Sequence, residues 1–145
     1  MKPYVRQLHG PSDWGWINKQ VPILQVSDTE GIVMIDLDKN ETVAAMVIDN
    51  ITHNSVQAHF MLSNVSALRH GFVEECCDLI FNEMGKKYIY GLVPGNNEKA
   101  IKFNKHVGFT EKTRMEEAFM DGVDYILMEL KKENCKYLPE LKRAA

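Results

Sequence analysis

The apolar repeat of this chain changes its period once, at Asn64, and that change limits the folds open to it. Before it, residues 56–62 alternate, with Val56, Ala58, Phe60 and Leu62 on one side and Gln57, His59 and Met61 on the other. That is the two-residue repeat of a half-polar strand. After it, Leu68, Phe72, Val73, Cys76, Leu79, Ile80 and Met84 recur three or four residues apart until Gly85, a residue well suited to end a helix. One helix over 66–84 is expected. Residues 88–93 are again apolar and β-prone, and Pro94-Gly95 breaks the run. A strand, a long helix and a second strand in that order place the two strands parallel.

The flanks add antiparallel pieces. Residues 32–35 and 42–51 are β-prone runs around the turn-rich Asp38-Lys39-Asn40, which spells a hairpin. Asn96 or Asn97 can cap a second helix whose stripe is Ala100, Ile101, Phe103 and Val107, ended by Gly108. A stretch at 118–120, the turn pair Asp121-Gly122 and a strand over 123–130 form a terminal hairpin. Residues 1–30 read as irregular, apart from a short helix capped by Asp13, carrying Trp14, Trp16 and Ile17 and closed by Pro22. Residues 131–145 read as a charged tail. The order implies an α+β fold around one mixed sheet, and 145 residues fit a single domain at about 150 residues per domain.

Charge and cysteine usage narrow the function classes. Seventeen Lys and Arg against twenty Asp and Glu leave a net charge of −3, which disfavours sequence-independent nucleic-acid binding, a task needing clustered cations. The densest basic stretches, Lys86-Lys87 and Lys131-Lys132 to Arg143, are interrupted by Glu133 and Glu140 and read as solvated surface. No apolar run approaches a membrane span, and the first residues lack a signal peptide's apolar stretch, so a cytoplasmic protein is expected. Cys76, Cys77 and Cys135 form neither a disulfide framework nor a metal motif and read as reduced thiols.

Two segments can carry chemistry. Residues 63–72 combine hydroxyls, Arg69, His70 and Gly71 at the mouth of the long helix, where unpaired N–H groups and the helix dipole favour an anion. The equal alternative is an ordinary helix start with a surface Arg. The second segment runs from Gly91 to Phe109: a strand, then Asn97-x-x-Ala100, a helix, and Gly108-Phe109 eleven residues after Asn97. With the closing hairpin at Asp121-Gly122, this resembles the C-terminal half-motif of the GNAT acetyltransferase superfamily, over roughly residues 31–130. Val93-Pro94-x-x-Asn97, Gly108-Phe109, Asp121-Gly122 and Cys135 look closest to small bacterial and phage-borne members related to the ribosomal-protein N-terminal acetyltransferase branch.

The resemblance implies a GNAT-like single domain with a mixed, splayed sheet and helices on both faces. It implies acetyl-CoA as cosubstrate, no metal, and transfer of the acetyl group to a primary amine by direct attack within a ternary complex. Backbone near Met61, Leu62 and Ser63 would pair with the pantetheine arm. N–H groups of Arg69, His70, Gly71 and Phe72 would hold the pyrophosphate, Asn97 would bond the arm or the reacting centre, and Phe103 would pack along it. His59 is the first candidate base, Tyr125 a stand-in acid, and Trp14 and Trp16 would floor the acceptor pocket. For His59, Tyr125, Trp14 and Trp16 the alternative is a structural role in packing. Two departures bear on this: the phosphate signature is degenerate, with Ser66 at its first position and Arg69 in place of its middle Gly. Asn104, an amide unable to act as an acid, stands where many members carry Tyr. They motivate a second reading, a catalytically silent GNAT-like interaction module. The acceptor is expected to be a small amine or a protein N-terminus or lysine, without membrane or nucleic-acid partners. A homodimer through the apolar strand at 123–130 is expected from the resemblance to sheets that pair at their edges.

Overall fold

The computed structural model of the chain describes residues 1–138 other than Pro22, Leu24 and Ser27. Seven strands make one mixed sheet in the order β1-β2-β3-β4-β5-β7-β6, and the α+β expectation holds. The contacts of the chain divide it into two compact units, Met1–Ile51 with Ala58–Cys76 and Thr52–Gln57 with Cys77–Ala145.

The first unit contains β1 (Pro3–Gln7), α1 (Gly10–Gln20), β2 (Glu30–Asp36), β3 (Glu41–Asp49) and most of β4 (Ser55–Leu62). The hairpin expected around Asp38 is β2–β3, antiparallel from Glu30↔Ile48 to Asp36↔Glu41. Residues 43–48 of β3 are all buried, as an apolar run covered on both faces must be. β1 was not expected, because Pro3-Tyr4-Val5-Arg6-Gln7 has little apolar pattern of its own; it is an edge strand held by its register on β2. Asp13 does not cap α1 either. His9 stands at the N-cap without a side-chain bond, with proline in the first turn, while Asp13 is buried and accepts Arg6 Nη1 and Nη2 at 2.6 and 2.9 Å and the His9 N–H at 2.9 Å. Leu8, Ile17, Val33, Ala45, Val47 and Met61 form this unit's core, with Trp14 and Trp16 packed against it. On β4 the burial phase slips: Val56 and Ala58 are buried, but next comes Met61 rather than Phe60 or Leu62.

The single helix expected over 66–84 is three pieces. A 3-10 segment, Val65–His70, starts at Asn64, whose side chain accepts the Ser66 N–H, and ends at Gly71 with φ +82°. That left-handed residue breaks the axis at almost no cost to glycine. α2 (Phe72–Cys77) follows and passes into a π-helical stretch, Asp78–Glu83, which closes at Gly85 with φ +69°.

The second unit holds the start of β4, the π-helical stretch, β5 (Tyr88–Pro94), α3 (Glu98–Val107), β6 (Thr110–Met120) and β7 (Val123–Lys131). β4 and β5 are parallel, as the crossover requires. The buried positions of α3 are Asn104 and Val107, while Ala100, Ile101 and Phe103 are only partly covered. β6 begins at Thr110, eight residues before the expected stretch, since its mostly exposed side chains carry no apolar period and β7 alone sets its register. β7 is interior, with β5 on one side and β6 on the other. The strand expected to pair between subunits therefore has no open edge, and that route to a homodimer is withdrawn. The charged tail begins as structure: Lys132–Asn134 is a 3-10 turn, and Cys135 and Leu138 are buried. Residues 139–145, with Glu140 and Arg143, lie outside the described residues, as does Pro22.

Candidate functional site

In the first unit the chain beyond β4 is fastened inward. The Ser63 N–H donates to Val43 O at 2.9 Å, and its hydroxyl donates to the carbonyls of Val43 and Thr42 at 3.3 and 3.4 Å. The Asn64 side-chain oxygen accepts both the Ser66 N–H and the Ser66 hydroxyl, at 3.0 and 2.7 Å. Gly71 donates its N–H to Ala67 O. Two of the N–H donors expected to face a cofactor, those of Ser63 and Gly71, are thus committed within the protein. Arg69 and His70 are exposed, Met61 and Phe72 are buried, and Leu62 is partly covered.

The β4–β5 ladder is short. It pairs Ser55↔Tyr88, Val56↔Ile89 and Gln57↔Tyr90, and its register ends there, although β4 continues to Leu62. On β5 the other edge remains paired with β7 from Tyr88↔Lys131 to Pro94↔Tyr125.

His59 is half-buried, and its Nε2 lies 3.0 Å from Asp49 Oδ2. Asp49 was not singled out from the sequence, although it is the carboxylate that closes the apolar run of β3. Its Oδ1 is buried and meets no hydrogen-bond partner among the described residues. In the same unit, an open cleft of about 630 Å³ is lined by Trp16 of α1, Glu41, Thr42 and Val43 at the start of β3, and Ser63, Asn64 and Val65 after β4. Trp16 was expected at a pocket; Glu41 was not.

In the second unit, Asn97 caps α3, its side-chain oxygen accepting the Ala100 N–H at 3.1 Å. Asn104 is buried and donates to Met128 Sδ at 3.6 Å. Tyr125 packs on Phe119 with ring centroids 5.5 Å apart, and Phe103 is partly covered on α3. Tyr90 donates to Glu129 at 2.7 Å; that bond and burial push its phenol up to about 12. Glu129 is itself buried, and Lys112 lies 3.7 Å from it. Among the described residues no group of His, Cys, Asp and Glu is arranged to hold a metal, and no helix is long and apolar enough to cross a membrane.

No protein-family model matches the sequence, and no curated protein matches it. Solved structures do match. A spermidine/spermine N-acetyltransferase SpeG from Vibrio cholerae, in complex with manganese ions, superposes with a TM-score of 0.76 at 15% identity, covering 99% of this chain and 98% of that one. SpeG from the same organism in complex with CoA and spermine gives 0.72 at 16% identity over 92% and 97%. A chimera of the Vibrio cholerae enzyme and hSSAT gives 0.72 at 17% over 92% and 98%. The chain therefore shares the fold of these N-acetyltransferases.

Proposed function

We propose that this chain is an acetyl-CoA-dependent N-acetyltransferase whose acceptor is a small primary amine. The observation that carries the reading is the fold, which matches a spermidine/spermine N-acetyltransferase with a TM-score of 0.76 over 99% of this chain. The fold is shared with enzymes that take spermidine and, in one case, hold CoA and spermine.

Acetyl-CoA, when bound, supplies the activated acetyl group. Leu62 and Met61 offer backbone to its arm, while Arg69, exposed beside Gly71, supplies positive charge for its phosphates. His59 is assigned the base. With Nε2–H donated to Asp49, Nδ1 keeps the lone pair that takes the ammonium proton, so the amine attacks as the neutral form. Asp49 acts by holding that ring orientation. Asn97 and Tyr125 are accounted for by the helix cap and the Phe119 contact.

The committed N–H groups of Ser63 and Gly71 favour the second reading, a silent interaction module with a weakened cofactor cradle. Titration calorimetry with acetyl-CoA separates the two. Saturable micromolar binding lost in Arg69→Glu, with thiol release in the presence of amines that falls at least tenfold in His59→Gln, supports the enzyme. No binding at millimolar acetyl-CoA leaves the silent module.

A further inference from the structure

The cleft in the first unit gathers polar groups that the fold itself does not use. Among the described residues, the Glu41 carboxylate and the Thr42 hydroxyl meet no hydrogen-bond partner. Asn64 commits only its side-chain oxygen, to the Ser66 N–H and hydroxyl, so both N–H bonds of its amide remain to be donated. Ser63 donates its hydroxyl proton to the carbonyls of β3 and keeps oxygen lone pairs that accept. Donors at Asn64 and Thr42 therefore stand beside acceptors at Glu41, Ser63 and Thr42. Among the described residues the lining has no Lys, Arg or His, so its one charge is the exposed Glu41 carboxylate. An anion is repelled there, and an ammonium group, a donor only, leaves the Asn64 amide without an acceptor. A hydroxyl donates and accepts through one oxygen, so a ligand with several of them answers both kinds of group, and the bonds it gives to a carboxylate are the stronger ones. Trp16 and Val65 supply the apolar part. Trp16 is half-buried, packed on the core and lining the cleft, and the electron-rich face of an indole attracts polarised C–H groups. Val65, 76% exposed, adds a bare aliphatic surface. A volume of about 630 Å³ lies inside the roughly 300–1,000 Å³ of small-molecule sites.

We infer that this cleft recognises a neutral polyhydroxylated ring, the pyranose of a carbohydrate, with neighbouring hydroxyls at Glu41, Thr42 and Asn64 and a C–H face against Trp16 and Val65. The site is independent of the acetyl-transfer reading, since His59, Asp49 and Arg69 do not line the cleft. Glu41 takes protons from the ring hydroxyls, and the Asn64 amide gives to their oxygens. That pairing of an acceptor with a donor is what selects a sugar over an amine of the same size.

The test uses the full chain and three probes: methyl β-D-glucopyranoside, the hydroxyl-poor ring tetrahydropyran-2-methanol, and methyl β-D-glucosaminide, which replaces one hydroxyl by an ammonium group. Calorimetry and saturation-transfer NMR follow binding. The expected result is saturable binding of the glucoside in the millimolar range, at least tenfold tighter than the hydroxyl-poor ring and no weaker than the glucosaminide. Glu41→Ala removes the charged acceptor. Asn64→Ser removes the amide donors while leaving an oxygen to cap the segment that follows. Each should weaken the glucoside severalfold with circular dichroism unchanged. No binding of the glucoside, equal binding of the hydroxyl-poor ring, a glucosaminide bound more than tenfold tighter than the glucoside, or a glucoside affinity unaltered in both variants overturns the site.

Discussion

Asp13 and Tyr90 show how single polar groups hold each unit. Burial pushes Asp13 up, but the two hydrogen bonds from Arg6 and the one from the His9 N–H outweigh it and leave its carboxyl below the ordinary value. A carboxylate with a lowered folded pKa stabilises the protein above its unfolded value near 3.9, and that contribution is lost as pH falls below about 4. Asp13→Asn should therefore cost about 3 kcal/mol at pH 7, as expected when a buried pair loses one partner, with the deficit shrinking in urea titrations repeated at pH 3. Tyr90 has the opposite sign. Its raised phenol contributes fully below about pH 10, and the contribution fades as pH climbs toward 12. Absorbance titration of the native protein should show one tyrosine that ionises late. Tyr90→Phe should remove that step and cost about 1–3 kcal/mol, because buried Glu129 then lacks its donor. Neither pairing was legible in the sequence: Arg6 and Asp13 lie in a stretch without period, and Tyr90 and Glu129 are 39 residues apart.

At the scale of elements, periodicity located the β2–β3 hairpin, β4, β5, α3 and the closing hairpin. It failed where a ladder or a single backbone angle overrides local pattern. β1 and the first half of β6 exist because a neighbour supplies their hydrogen bonds, and Gly71 at φ +82° splits a stretch whose apolar spacing runs on unbroken. Glycine also sets a packing limit at β2. A Cβ on Gly31 would collide with the backbone carbonyl of Met46 and crowd the Leu8 side chain. Backbone cannot yield as a flexible side chain does, so Gly31→Ala should cost on the order of 2–4 kcal/mol. Chemical denaturation measures this directly, and a loss under 0.5 kcal/mol would show that the strand shifts freely.

For the whole molecule, the three thiols report on folding in both units. Cys76 is buried, and burial together with Glu75 and Glu74 pushes its thiol well up, away from the reactive thiolate. Cys77 and Cys135 are buried as well. The native protein should leave all three unreacted with an aromatic disulfide reagent over minutes and release three equivalents in urea; prompt reaction of any one without denaturant would contradict this packing. The candidate site was legible in part. His59, Arg69, Gly71 and Trp16 stand out by residue type beside a strand or a helix mouth, whereas Asp49 and Glu41 do not, because a carboxylate on a strand end looks like any solvated residue until its neighbour is known. Residue order alone determined the strand or helix character of β2, β3, β4, β5, α3 and β7, since burial on one face imposes a repeat of two or 3.6 that survives in the chain. Only tertiary structure decided that β4 leaves β5 after three pairs, that β7 lies inside the sheet, and that a histidine and an aspartate from adjacent segments face each other. Those depend on which distant backbones meet, and no local repeat encodes a meeting between residues far apart in the chain.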